Sequence, residues 1–269
     1  MNSIDHRRIS TKRAESQRIE AAHARLASAC RLGAQGATGV LIGIFLSGPL
    51  AVGLVNVTHP QPPWHGARAF AAAYHPLQLL PYLGGIVLVS ALLVLMASLR
   101  EVAPEVHRAR VGAALIFSSA FAALIFFNYV VQCTFLPELT RDYDPDDAAL
   151  IAALSMSNPT SLAWGIEMWG WGLLGIATWL AAPAFRASGL ERATARCFAA
   201  NAPLSIAGAL LTVVRPGWVM TLPGLVAFGA WNLLLTAMAL LAWLSLRRRE
   251  QRPHLHAVHF QPLAAAKAR

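Results

Sequence analysis

Six stretches of the chain, residues 33–57, 76–98, 111–134, 160–183, 197–214 and 218–245, contain between them a single charged side chain, Glu167. Each matches or approaches the roughly 20 apolar residues that a helix needs to cross a hydrocarbon core of about 30 Å. In lipid the backbone polar groups must be satisfied within the segment. Long uninterrupted apolar runs achieve this only as helices, because a barrel would need short strands of alternating polarity. The expected fold is therefore all-α: a polytopic membrane protein built as a six-transmembrane-helix bundle. Residues 1–32 form a basic arm before the bundle (33–245), and residues 246–269 form a basic, His-containing tail. The first stretch follows 32 mostly polar residues and is followed by five more, so it reads as a retained span and not as a signal sequence.

Composition supports this reading by exclusion. Only 13% of the residues are charged and 56% are hydrophobic, whereas a soluble domain carries about 25% charged residues. The same figures exclude a disordered chain. Charge placement then gives orientation. Of the 22 Lys and Arg residues, 19 lie in the N-terminal arm, around Arg100, Arg108 and Arg110, around Arg186, Arg192 and Arg196, and in the tail from Arg247. The alternate connections hold three: Arg68, Arg141 and Arg215. Basic residues favour the cytoplasmic side, so both termini are expected there, in a multi-pass protein of the cytoplasmic membrane. The basic excess is thus a topology signal with affinity for anionic lipid headgroups, and no nucleic-acid partner is implied.

The acidic residues Glu138, Asp142, Asp144, Asp146 and Asp147 collect in the third connection, on the outer side. Asp144 followed by Pro145 reads as a helix start, with Leu150, Ile151 and Leu154 on one face of a short interfacial helix. The other long outer connection is punctuated by Pro60, Pro62 and Pro63 and contains an alanine-rich run, 67–73, that can form a second. Cys30, Cys133 and Cys197 have no motif spacing, so neither a disulfide nor a thiolate metal site is expected.

Helices in lipid associate through close backbone approach and interhelical hydrogen bonds. Gly39, Gly43 and Ser47 form a small-residue seam on the first span, and Gly165, Gly172 and Gly175 lie on one face of the fourth. Asn201, Ser205, Gly208 and Thr212 make a polar and small stripe on the fifth. Pro49, Pro81, Pro203 and Pro223 mark kinks or ends, where neighbouring helices can satisfy freed carbonyls.

Glu167 is the candidate site. It lies about eight residues in from Pro159, roughly 12 Å below the outer boundary. A charge at that depth is costly, and the low dielectric disfavours the charged form, which suits a proton carrier or a neutral hydrogen-bond donor. Asn128 and Gln132, with Tyr129 beside them, reach a similar depth on the third span; Gln78 and Tyr82, just after His75, do so on the second. Together these residues could line an outward-facing polar pocket, flanked by Trp164, Trp169 and Trp171. The structural alternative is that Glu167 only ties helices together through Asn128 or Gln132. Trp64 and Trp218 read as interfacial anchors. Two histidine groups, His59, His65 and His75 outside and His254, His256 and His259 in the tail, lack a ligand framework, so no metal is expected. The sequence contains no H-E-x-x-H, G-x-S-x-G, phosphate-binding loop or dinucleotide fingerprint, and it implies no cofactor.

The stretch from Asn158 to Thr178 (NPTSLAWGIEMWGWGLLGIAT), with His75-Pro-Leu-Gln78, resembles uncharacterised bacterial six-helix membrane proteins. That resemblance implies a bacterial cytoplasmic membrane and supplies no activity. The leading functional expectation is binding or transport of a proton, a cation or a small polar or amphipathic molecule through the pocket around Glu167. The alternative is a structural or regulatory subunit whose small-residue faces bind a partner helix, within a homo-oligomer or otherwise. A membrane-embedded enzyme, with Glu167 and His75 as a proton-transfer pair, comes third.

Overall fold

The computed structural model describes residues 3–185 and 189–251, with no strand among them. The tail histidines His254, His256 and His259, and Arg186, lie outside the described residues. Helix α1 (Ser3–Phe45) continues through one π-helical turn, Leu46–Leu50, into α2 (Ala51–Thr58). The turn contains Pro49, whose missing N–H a widened turn accommodates without ending the helix. No break occurs at the expected boundary near residue 32. Ala, Arg, Glu and Gln, all good helix formers, carry the basic arm straight into the apolar span. At 43 residues, α1 is about 65 Å long and outruns any hydrocarbon core.

After α3 (Ala67–Ala73), a 3₁₀ turn at Pro76–Leu79 leads into α4 (Leu80–Val102). Helix α5 (Glu105–Val130) passes through a second π-helical turn, Val131–Phe135, into α6 (Leu136–Arg141). A short 3₁₀ turn then precedes α7 (Ala148–Leu154), and α8 (Leu162–Ala181), α9 (Leu190–Val214) and α10 (Leu222–Gln251) complete the chain. The short helices α3 and α7 fall where the alanine run and the Asp144-Pro145 start place them. Asp144 accepts a hydrogen bond from the Asp146 N–H at 2.9 Å, and Ser161 caps α8 by accepting from the Trp164 N–H at 3.3 Å.

Among the described residues five segments are long and apolar enough to cross a membrane: Glu15–Thr58, Pro76–Val102, Glu105–Arg141, Leu190–Val214 and Leu222–Gln251. Helix α8, on the remaining expected span, is 20 residues long, or about 30 Å, but it is not one of the five. Glu167, the tryptophans and the glycines dilute its apolar character. Eleven of its 20 residues are buried, so much of it faces protein, where an all-apolar surface is not required.

The long helices close into a ring, α1 beside α4, α4 beside α5, α5 beside α8, α8 beside α9, α9 beside α10, and α10 back against α1. The ring encloses one core drawn from all six, including Val40, Leu92, Phe121, Trp171, Phe198 and Leu235. A smaller cluster of Ala67, Phe70, Leu136 and Ile151 joins the short helices at one end, the end that carries the Asp-rich connection. At the other end Arg31 pairs with Glu250 at 3.0 Å.

The small-residue seams are occupied within the chain. A Cβ at Gly43 would sit 2.5 Å from the Leu88 backbone, one at Gly39 2.7 Å from the Ala91 side chain, and one at Gly36 2.6 Å from the Leu95 N. The Ser47 backbone meets Gly84 across the same α1–α4 contact. Gly172 and Gly175 meet Ala209 and Ser205 of α9, whereas Gly165 faces open space. Backbone cannot yield as a flexible side chain can. Gly43→Ile therefore forces α1 and α4 apart, with an expected cost of about 3 kcal/mol or more. The check is the thermal unfolding midpoint of purified protein in detergent, with Gly165→Ile as the tolerated control.

Candidate functional site around Glu167

Glu167 is 6% exposed and points from α8 toward α5. Its Oε1 accepts hydrogen bonds from the Tyr129 hydroxyl and the Trp171 indole N–H, both at 2.8 Å. Its Oε2 accepts one from the Asn128 side-chain amide at 2.9 Å. The local sequence explains the convergence. Trp171 follows Glu167 by four residues and so lies on the same face of α8. Asn128 and Tyr129 are adjacent on α5, where one donor reaches each carboxylate oxygen.

The donors are themselves oriented. The Met156 N–H donates to Gln132 Oε1 at 3.3 Å, and Gln132 Nε2 donates to the Leu154 carbonyl at 2.8 Å and to Asn128 Oδ1 at 3.3 Å. Backbone groups of the α7–α8 connection thus fix which way the Gln132 amide points. Gln132 in turn fixes Asn128, whose Nδ2 must face Glu167 and the Ala163 carbonyl, 3.3 Å away. The connection is held by further ties. Trp164 Nε1 donates to the Met156 carbonyl at 2.6 Å, and Asn158 Nδ2 donates to the Ala152 carbonyl at 2.7 Å. The arrangement presents three neutral donors to a buried carboxylate. No Lys, Arg or His hydrogen-bonds or pairs with Glu167 among the described residues.

Of the residues expected at this site, Asn128 and Gln132 join the Glu167 network. Tyr82 packs against Tyr129, with ring centroids 5.6 Å apart. Gln78 and His75 stand outside it. Gln78 donates to the Ala73 carbonyl at 3.3 Å. His75 accepts from the Leu77 N–H at 3.2 Å and stacks on His59 with centroids 3.4 Å apart. Asn128, Tyr129, Gln132 and Glu167 hydrogen-bond to one another at the depth where a pocket was expected. A cavity of about 40 Å³ does lie near Trp171, but it is apolar, between α8, α9 and α10, and is lined by Met168, Leu204, Gly208, Trp218, Phe228 and Trp231 among others, without Glu167. Tyr129 and Trp171, which the sequence named only as neighbours, are direct partners of the carboxylate. The i,i+4 spacing of Trp171 was the available signal.

A second polar cluster adjoins the first. Asn201 Nδ2 donates to Thr178 Oγ1 at 3.0 Å, and the Trp231 indole N–H donates to Asn201 Oδ1 and Ser205 Oγ, each at 3.0 Å. Trp171 and Trp231 meet edge to face at 4.7 Å between ring centroids, so each indole gives its N–H to a different cluster while their rings share the core. Gly208 and Thr212 of the same α9 stripe sit beside Trp218, whose Nε1 donates to Thr212 Oγ1 at 3.0 Å.

At the opposite end a different solution to a buried carboxylate is present. Arg249 binds Glu191 through two nitrogens, each at 2.6 Å, and also donates to the Ala184 carbonyl at 2.8 Å. Both side chains are 10% exposed. Nothing in the spacing of residues 191 and 249 announces this pair. Compared with known proteins, the chain matches no family model, no curated protein and no solved structure.

Proposed function

We propose that the protein spans the cytoplasmic membrane six times, α8 included, with both termini inside, and that it binds or carries a proton, a cation or a small polar or amphipathic molecule at Glu167. The alternating distribution of basic residues and the place of α8 between α5 and α9 in the ring support the sixth span. Anionic headgroups at the basic ends, and self-association, are further parts of this reading.

One observation carries the functional part: among the described residues Glu167 is buried with neutral donors only. Where this chain uses a carboxylate to hold helices together, at Glu191, it supplies an arginine. At Glu167 the compensating positive charge is left to be supplied by a proton or another cation. An ionisable group in that position is a functional site by default. Against the alternative of a subunit that offers its small-residue faces to a partner stands the contact of Gly39, Gly43, Gly172 and Gly175 with α4 and α9, although Gly165 faces open space.

The test is Glu167→Gln in proteoliposomes, with proton movement read by an internal pH dye and sodium uptake read in parallel. Loss of pH-dependent uptake is expected. Unchanged uptake and an unchanged pH profile would remove Glu167 from the function.

A further inference from the structure

A carboxylate that is 6% exposed can exchange a proton with water only through intervening polar groups. On the side of Tyr129 away from Glu167, such groups continue toward the Asp-rich end of the bundle. The Tyr129 ring passes directly over Gly85 of α4, so close that a Cβ there would overlap it. Glycine at this position is what lets the hydroxyl cross from the α4 side to Glu167. Tyr82 lies against the Tyr129 ring, and beyond it Tyr74 packs on the cluster of short helices at the Asp-rich end.

One turn nearer the end, Gln78 is 7% exposed, and among the described residues its Oε1 has no hydrogen-bond partner although its amide nitrogen has one. The Tyr74 hydroxyl is also buried and without a partner among the described residues. Buried polar atoms are almost always satisfied, by protein or by water held between two or more polar groups. An orphan acceptor and an orphan hydroxyl at the mouth of a file of tyrosines are therefore two independent pointers to a bound polar ligand of water size.

Deepening the functional reading and resting on it, we propose that Tyr74 and Gln78 hold water at the mouth of a proton path that runs past Tyr82 and Tyr129 to Glu167 and opens at the Asp-rich end. The ligand is a hydrated proton. In the last step Tyr129 gives its hydroxyl proton to Glu167 Oε1 across the existing hydrogen bond and receives another from the Tyr82 side. On each of Tyr82 and Tyr129 one O–H bond breaks and one re-forms, a carboxyl O–H bond forms on Glu167, and hydronium at the mouth, having given its proton to Tyr82, becomes water. Tyr129 carries no charge before or after. Burial pushes the Tyr74 phenol up from its ordinary value to about 12, with the Cys133 thiol adding to this and Arg141 opposing it, so Tyr74 keeps its proton at neutral pH. The titratable groups facing Glu167 are Tyr129 from α5 and Tyr82 from α4, while Cys133, in the turn after α5, acts on Tyr82 and Tyr74, and α8 itself contributes the neutral Trp171.

The experiment uses full-length protein in vesicles of known orientation. The carboxylic-acid C=O stretch of Glu167, identified as the infrared band lost in Glu167→Gln, is followed after a pH jump on one side. Acidifying the Asp-rich side is expected to raise the band at least tenfold faster than acidifying the other side. Gln78→Leu and Tyr82→Phe are each expected to slow it by tenfold or more. Equal response from both sides, or wild-type rates in both variants, overturns the path while leaving Glu167 as a titrating site. If no band assigned to Glu167 titrates, the functional reading fails with it. Should a variant not fold, the sidedness of the unmodified protein decides alone.

Discussion

Glu167→Leu is expected to lower stability by about 3 kcal/mol or more, since it leaves the Tyr129 hydroxyl, the Trp171 indole N–H and one Asn128 N–H buried without an acceptor, at about 1 to 3 kcal/mol each. The measurement is the unfolding midpoint in detergent. Glu167→Gln is nearly the same shape and is nonetheless expected to cost about 1 to 2 kcal/mol. Its oxygen can keep Tyr129 and Trp171, but its NH₂ then faces the Asn128 Nδ2. Asn128 cannot turn over to offer its oxygen, because that oxygen already accepts from Gln132. Gln132 cannot turn over either, because the Met156 N–H and the Leu154 carbonyl hold both ends of its amide. Adding Asn128→Asp to Glu167→Gln restores an acceptor where one is needed, and part of the loss should return. If Glu167→Gln is as stable as the unmodified protein, the Asn128 amide is free to turn over and Gln132 does not hold it.

Arg249→Ala is the second large effect expected, about 3 to 5 kcal/mol, because it removes one partner of a buried ion pair and leaves the other charge in place. More than one contact is lost. The guanidinium joins the end of α10 to Glu191 at the start of α9 and to the Ala184 carbonyl after α8, and it lies over the Phe185 ring, 5.6 Å from its centroid. Arg249→Lys should recover little, since an ammonium cannot reproduce the two-pronged contact. Arg249→Met combined with Glu191→Gln should cost clearly less than the sum of the single changes, the sign of direct coupling. Additive costs in that cycle would show that the pair is not a unit.

The two carboxylates show how far a sequence can be read. Glu167 stood out because it is the single charge in six apolar stretches, a property of composition along the chain. Asn128 and Gln132 were legible as companions because helical rise converts residue number into depth. The role of Tyr129 was not, because depth does not say which face of α5 turns toward α8, and that of Trp171 was signalled only by its spacing of four residues from Glu167. Glu191 was not legible at all. It lies in a connection rich in charge, and its partner is 58 residues away on another helix. The expectation of a pocket met the same limit: side chains at one level can line a space or bond to one another, and across α5, α8 and the α7–α8 connection Asn128, Tyr129, Gln132 and Trp171 join Glu167 in one hydrogen-bonded network.

Sequence alone determined that this chain is helical and suited to a membrane, because backbone satisfaction, span length and the cost of charge in lipid act within one segment and need no knowledge of its neighbours. The short helices at Ala67–Ala73 and Ala148–Leu154 were legible on the same local grounds. Tertiary structure decided what lies beside what: that α1 closes the ring against α10, that its glycines are spent on α4, and that Glu167 has three donors and no cationic partner among the described residues. Those facts depend on the rotation of each helix about its own axis and on close approach between segments far apart in sequence. Both are settled only when all six helices pack at once.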